Sequence, residues 1–355
     1  ALMLGRASKE YGFEEMLSLT ERTGASIDGF SGKDSLGMRM HCLADDTEKI
    51  LPAFFSSLQD PVFPDQQWQA AKMEILEDIR SQDDHPSQIC FREFQKRLYG
   101  AHPYHFPQYG YSDSVAKISL NTLSEFYQGS GGAWTVAAVS PLPLTEVLEV
   151  TRHQLGASLS TATSRTATAG PFKAEPGHYH ISKKREQTHI VVGFPGLKWA
   201  DPARYALEML STILSGQGGR LFLDLRDKQS LAYSVSSLCS FGYDTGVFGA
   251  YIACAPDKAE HARNALIEKL FELFSKPPSD EEIERAKRYM IGSHAVEMQR
   301  GSGQSMNMAL MELYGVGYDE FMKYSDNIKR TSKADVMAAA QKILIRDLLV
   351  SVSVG

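Results

Sequence analysis

No run of lysine or arginine longer than three, no C-x-x-C pair, and no apolar stretch near the roughly 20 residues that cross a bilayer occurs in this chain. Each absence excludes a class of function. With 37 basic against 43 acidic side chains and a net charge of −6, there is no electrostatic support for a nucleic-acid partner. The opening ALMLGRASKEYG has no charged region followed by a long apolar core, so it does not read as a signal peptide. A soluble chain is expected, and its compartment is not written in the sequence. Cys42, Cys90, Cys239 and Cys254 stand far apart, which indicates neither a disulfide framework nor a zinc knuckle. Cys239 and Cys254 could face each other across a hairpin, but buried free thiols are the favoured reading.

What the chain does have is an ordinary globular composition, 43% hydrophobic and 23% charged over 355 residues, enough for two or three domains. The Ser/Thr/Ala-rich segment 158–177 reads as a linker, with a first domain over 1–157 and a second over 178–355. The same order of elements can be read on either side. Before the linker come a hairpin turning at Gly32-Lys33-Asp34, a helix kinked at Pro52, and a helix with Trp68, Met73, Leu76 and Ile79 on one face. A further helix around SQICFREFQKRLY, the loop GAHPYHFPQYG, the helix LNTLSEFYQ and a strand AWTVAAVS follow. After the linker come a hairpin turning at Tyr243-Asp244-Thr245-Gly246, a helix pair, the helix TSKADVMAAAQKIL and the strand DLLVSVSV. Ala71-Lys72 matches Ala286-Lys287, so the chain is read as an internal duplication. The second copy opens with the strands GHYHISKK and THIVVGFPG and the helix DPARYALEMLSTIL. The first copy is expected to lack roughly 35 matching residues at its front. Each copy mixes an antiparallel sheet with helices, and an α+β fold is expected.

The most informative segment is GGRLFLDLRDKQSLAYSV, which sets Arg226 and Tyr233 seven residues apart across an expected helix-to-strand turn. A fixed guanidinium and a neutral phenol are groups a protein aims at a carbonyl gaining negative charge. Equally, Arg226 could pair on the surface with Asp224 or Asp227, and Tyr233 could pack on the sheet. Gly216, Gly218 and Gly219 lack the G-x-x-x-x-G-K-[ST] pattern of a phosphate cradle. They read as a tight turn before a helix, or as a flexible rim that lets substrate backbone approach. The close histidine pairs, His102 with His105 and His178 with His180, have no third ligand on a rigid element nearby, so metal binding is not expected. Glu74, Glu77 and Asp78 read as a solvated acidic face. No G-x-S-x-G elbow is present.

Several segments together resemble the pitrilysin/insulinase family of zinc metallopeptidases. They are GRASKEYGFEEMLSLTERTGASIDGFSGKDSLGMRM, DPVFPDQQWQAAKMEILEDIRSQDDHPS, the HPY loop, and LSGQGGRLFLDLRDKQSLAYSV. The resemblance implies two homologous α+β domains forming half of a clamshell that admits peptides or unfolded segments. In zinc-bearing halves H-x-x-E-H lies on the first helix, with a third glutamate ligand on a later one. Here the third-ligand position matches Asp78, one methylene shorter, and a supporting glutamate is matched by Ala71. The family's Arg/Tyr pair is matched by Arg226 and Tyr233. In relatives that pair reaches the zinc site of the other half, where Arg holds substrate backbone and Tyr assists the oxyanion.

The resemblance therefore implies a non-catalytic half, inactive alone, with Gly216, Gly218 and Gly219 at a substrate-binding rim and no metal ligand of its own. Zinc is expected in a partner half, either in the same longer chain or in a separate subunit, and the substrate is a peptide or unfolded polypeptide. Two alternatives accompany it: a structural core-type subunit without proteolysis, or a catalytic half whose H-x-x-E-H precedes Ala1.

Overall fold

The structure is a computed structural model that describes residues 1–129, 134–155, 172–183 and 185–355. These fall into two compact units: Ala1–Arg80 with the described residues from Gln108 to 155, and Ser81–Pro107 with those from 172 onward. The linker expected over 158–177 lies largely outside the described residues.

In the first unit, α1 (Phe13–Thr23) carries Glu14 and Glu15 in its first turn and Arg22 in its last, matching the helix dipole. It stops at Gly24, whose left-handed φ of 64° only glycine adopts without strain. β1 (Ser26–Ser31) and β2 (Leu36–His41) form an antiparallel hairpin, closed at the expected turn by Gly32 N–H on Ser35 O (2.8 Å). α2 (Thr47–Gln59) contains Pro52, and α3 spans Asp65–Asp84. Trp68, Ala71 and Ile79 are the buried residues of α3, whereas Met73 is 62% exposed. The sequence placed Met73 on the buried face, but at 100° per residue it stands about 140° from Trp68.

The second unit begins with α4 (Pro86–Tyr99). Back in the first unit lie α5 (Ser112–Lys117), α6 (Leu120–Gly129) and α7 (Leu144–Leu155). The expected strand AWTVAAVS does not form at 134–140. A β pattern needs a neighbour to complete its hydrogen bonds, and the ladder described in this unit joins β1 and β2 alone. The core here is divided into small clusters, such as Met16, Ile27, Ile50 and Ala53, and Met3, Trp68 and Ala71.

The second unit continues with β3 (Gly177–Ile181), β4 (Thr188–Gly196), α8 (Arg204–Leu214), β5 (Ser234–Ser240) and β6 (Gly246–Cys254). Then come α9 (Ala259–Ser275), α10 (Asp280–Glu297), α11 (Gly301–Leu313), α12 (Glu320–Arg330), α13 (Lys333–Ile343) and β7 (Val350–Val354). The sheet order is β3-β7-β4-β6-β5, antiparallel except for β3 on β7. The α+β expectation holds.

Strand alternation sorts the core onto two faces. Ile190, Val192 and Phe194 of β4 and Phe248, Ala250 and Ile252 of β6 pack with Leu207, Leu210 and Ile213 of α8 and Leu266 and Leu270 of α9. Val191 and the three valines of β7 pack on the other face with Cys90, Phe94 and Leu98 of α4. The Cys90 thiol donates to His189 O and Val352 O, and burial pushes its pKa up to about 12. Cys239 and Cys254 do not face each other, because β5 registers Cys239 against Phe248. All four cysteines are free.

Phe94 sits directly over the sheet because Gly193 leaves room for it. A Cβ on Gly193 would lie 2.7 Å from Phe94 Cζ and 2.9 Å from Phe248 O. Gly193→Ala is therefore expected to destabilise the chain by about 1–3 kcal/mol through overpacking, checked by urea denaturation at unchanged m-value.

Candidate functional site

The segment carrying Arg226 and Tyr233 lies wholly in the second unit, between α8 and β5. α8 is fixed to α12 by polar contacts at its start. The buried Arg204 and Glu320 pair at 2.5 Å, and the Tyr324 hydroxyl donates to Glu208 (2.7 Å). At the other end of α8 three hydroxyls hold it to β5. Ser237 Oγ lies 2.6 Å from Ser211 Oγ and 2.7 Å from Ser215 Oγ, and Ser237 N–H donates to Ser215 Oγ (2.9 Å). These serines were missed in the sequence. Their signal was the i, i+4 spacing of Ser211 and Ser215, opposite a serine in an otherwise half-apolar strand.

The glycine loop follows, anchored at its far end by Arg220. Its guanidinium binds Glu282 through two oxygens (2.7 and 2.8 Å) and donates to Lys276 O (2.7 Å) and Pro277 O (3.2 Å). The three glycines serve different ends. A Cβ on Gly219 would lie 2.0 Å from Ser215 O, so the turn requires glycine there. Gly216 has a φ of 76°. Gly218 has neither need: its Cβ would enter open space at ordinary φ.

Beyond the loop the expected helix-to-strand turn is a π-helical turn, Phe222–Lys228. Such wider turns are uncommon and recur at functional sites. Leu221 and Leu225 are fully buried, Leu231 nearly so, and Leu231 N–H closes the segment on Leu225 O (2.9 Å). Ser230 within it has φ 50°, a left-handed conformation costing a non-glycine residue roughly 1–2 kcal/mol. Tyr233 N–H then donates to Ala253 O (2.8 Å), although Ser234 is the residue registered against Ala253. Two residues against one is the arrangement of a β-bulge, which re-aims side chains at a strand's start.

Both predicted residues emerge from this turn into solvent. Tyr233 is 58% exposed, and Arg226 is exposed with its guanidinium carbon 4.9 Å from the Phe222 ring centroid. Asp224 is taken by Lys269 and Lys228 rather than by Arg226. The pair is thus presented by buried leucines, with the polar ends outward.

The other candidates are engaged structurally. His102 is buried, its Nδ1 accepting from Tyr104 N–H (3.2 Å) and its Nε2 3.5 Å from Asp244 Oδ2. His105 Nδ1 lies 2.8 Å from His102 O. His178 and His180 meet the hydroxyls of Ser351 (3.2 Å) and Ser353 (2.9 Å). Glu74 and Glu77 are exposed, Asp78 is half-buried, and Ala71 packs with Trp68 and Met3. Among the described residues, no three His, Cys, Asp or Glu side chains converge as a metal-binding group. The donor set described here does not fit a zinc ion.

Two outcomes follow from this geometry. Ser230→Gly keeps every contact of the turn and is expected to raise stability by up to about 1 kcal/mol, whereas Ser230→Val should lower it by a similar amount, read by thermal unfolding. The Arg220 guanidinium holds the Glu282 carboxyl down at about 2, from an ordinary 4.5. Because the folded value is the lower one, this stabilisation is complete above pH 4.5 and is lost as pH falls through about 2. Glu282→Gln should flatten the acid limb of a stability-versus-pH curve.

Residues 117–290 match the family model described as "Peptidase M16 inactive domain". The chain is 24% identical to an uncharacterized zinc protease of Streptomyces coelicolor over 97% of its length and 77% of that protein's. It is also 24% identical to one of Rickettsia bellii, over 90% and 78%. Among solved structures, a peptidase M16 inactive domain from Pseudomonas fluorescens superposes with a TM-score of 0.89 at 22% identity, covering 99% of this chain and 86% of that one. A protease from Helicobacter pylori superposes at 0.84 and 16% identity, with the same coverage. The fold, the family model and the segments around Arg226 and Tyr233 agree: the chain resembles the peptidase M16 family, of pitrilysin and insulinase type, and within it the non-catalytic half.

Proposed function

We propose that this chain is the non-catalytic half of a zinc-dependent metalloendopeptidase, binding peptide and completing an active site whose zinc is held by a partner half. The observation that carries this reading is the exposure of both Arg226 and Tyr233 along one segment whose backbone is strained at Ser230 and anchored by Leu225 and Leu231. Strain of this kind persists where surrounding structure over-determines it, and it collects at functional sites. A polar pair serving only solubility would need no such support.

In this reading Arg226 holds a substrate carbonyl by charge-assisted hydrogen bonds. The Tyr233 hydroxyl, a neutral donor, stabilises the oxygen that gains charge as the peptide bond is attacked. Gly216 and Gly218, both open to solvent, form the rim along which substrate backbone passes, and Gly219 shapes that rim. The zinc of the partner half supplies the activated water. The two domains are read as copies of one duplicated unit, and an unfolded segment is the substrate class that fits a site recognising backbone rather than side chains.

Tyr233→Phe removes a single donor and is expected to lower kcat of the assembled enzyme by about 10²–10³, in the range seen for loss of one oxyanion contact. Arg226→Ala is expected to lower kcat/KM at least as much, with thermal unfolding of both variants unchanged. Full activity in both variants would refute the assignment. Co-purification with a non-proteolytic assembly in place of a peptidase half would favour a structural subunit.

A further inference from the structure

One side of α9 borders a cleft of about 420 Å³, within the range of about 300–1,000 Å³ in which proteins hold small ligands. His261, Ala265, Glu268 and Glu272 recur at spacings of three and four along the helix, so they share that side. Leu266, Leu270 and Leu273 turn into the core. Gln229, at the C-terminal end of the π-helical turn, and Arg346, in the short turn before β7, complete the cleft.

Phe271 also lines it, and its ring meets the fully buried Phe194 edge-on at 5.9 Å between centroids. The Arg346 guanidinium lies over that same fixed ring, its carbon 4.0 Å from the centroid. A stacked guanidinium keeps its plane and directs its donors edgewise, the arrangement that takes a carboxylate through two hydrogen bonds.

The charges around the cleft are only partly matched within the chain. Lys269 pairs with both Asp224 of the π-helical turn and Glu272, and Lys269 and Lys276 hold the Glu272 carboxyl down at about 2. Two carboxylates are thus balanced by two lysines. Among the described residues, neither the Arg346 nor the Glu268 side chain has a hydrogen bond or ion pair. An unmatched cation and an unmatched anion beside an apolar ring complement a small zwitterion.

We infer that this cleft is a ligand site, separate from Arg226 and Tyr233, for a small zwitterion with a free carboxylate and a free ammonium: an amino acid or a dipeptide. Arg346 takes the carboxylate, Glu268 takes the ammonium, and Phe271 with Ala265 receives an apolar side chain. Lys269 and Gln229 tie the cleft to the backbone and side chains of the π-helical turn, so an occupant steadies the turn from which Arg226 emerges. Short peptides are what a peptidase releases, so the source of the ligand rests on the reading above, whereas the site stands on its own geometry.

The test is calorimetric titration of the full chain with the dipeptide Leu-Leu, and with N-acetyl-leucine amide, which carries neither charge. Saturable binding of Leu-Leu and none of the uncharged compound is expected. Arg346→Ala is expected to weaken Leu-Leu at least about tenfold and Glu268→Gln several-fold, with thermal unfolding unchanged because both side chains are exposed. An absence of saturable binding, equal binding of the uncharged compound, or full affinity in Arg346→Ala overturns the inference. The Arg226→Ala/Tyr233→Phe double variant separates the two sites. Leu-Leu affinity kept in it supports the cleft; affinity lost in it and kept in Arg346→Ala puts the dipeptide at the pair and removes the cleft. Full peptidase activity in the double variant refutes the earlier assignment and leaves the cleft standing.

Discussion

The hydrogen bond from Leu231 N–H to Leu225 O, with both leucines buried, is the constraint on which the candidate site depends. It closes the segment leading into β5, which holds a π-helical turn at Phe222–Lys228, a left-handed Ser230 and a doubled residue opposite Ala253. Each irregularity costs free energy alone. Burial of Leu221, Leu225 and Leu231, each giving about 1.5–3 kcal/mol on removal from water, offsets them and leaves Arg226 and Tyr233 little freedom in where they emerge.

Around that turn the structure divides its labour between apolar and polar contacts. The middle of the sheet is held by close packing, with Phe94 filling the space above Gly193. The free edge at β5 is held by hydroxyls, and the glycine loop by the ion pair of Arg220 with Glu282. Hydrogen-bonded seams open at less cost than packed ones, since water can replace the lost partners. The proposed substrate rim therefore sits where the fold is held by hydrogen bonds and an ion pair.

Much of the second unit was legible from sequence. The β-branched run in THIVVGFPG, the serine/valine alternation of SVSV and the turn at Tyr243–Gly246 each state local preferences that the fold keeps. The pair itself was legible only as two residue types at a spacing. Its π-helical turn is invisible in sequence because a wider turn leaves no distinct hydrophobic period, and Ser230 adopts a backbone that glycine or asparagine would have announced. The failures in the first unit share one cause. Met73 and the segment 134–140 carry local patterns whose outcome rests on tertiary neighbours, and single-segment periodicity does not report those.

We propose a peptidase divided between a chain that presents Arg226 and Tyr233 and a partner that holds the metal. Ala71, which the resemblance matches to a supporting glutamate, packs with Trp68 and Met3. Zinc content of the purified chain, determined by atomic emission after dialysis against trace zinc, tests this division most directly. The account predicts substoichiometric metal, with peptide hydrolysis only on addition of the zinc-bearing half. Stoichiometric, tightly held zinc with hydrolysis by the chain alone would contradict it.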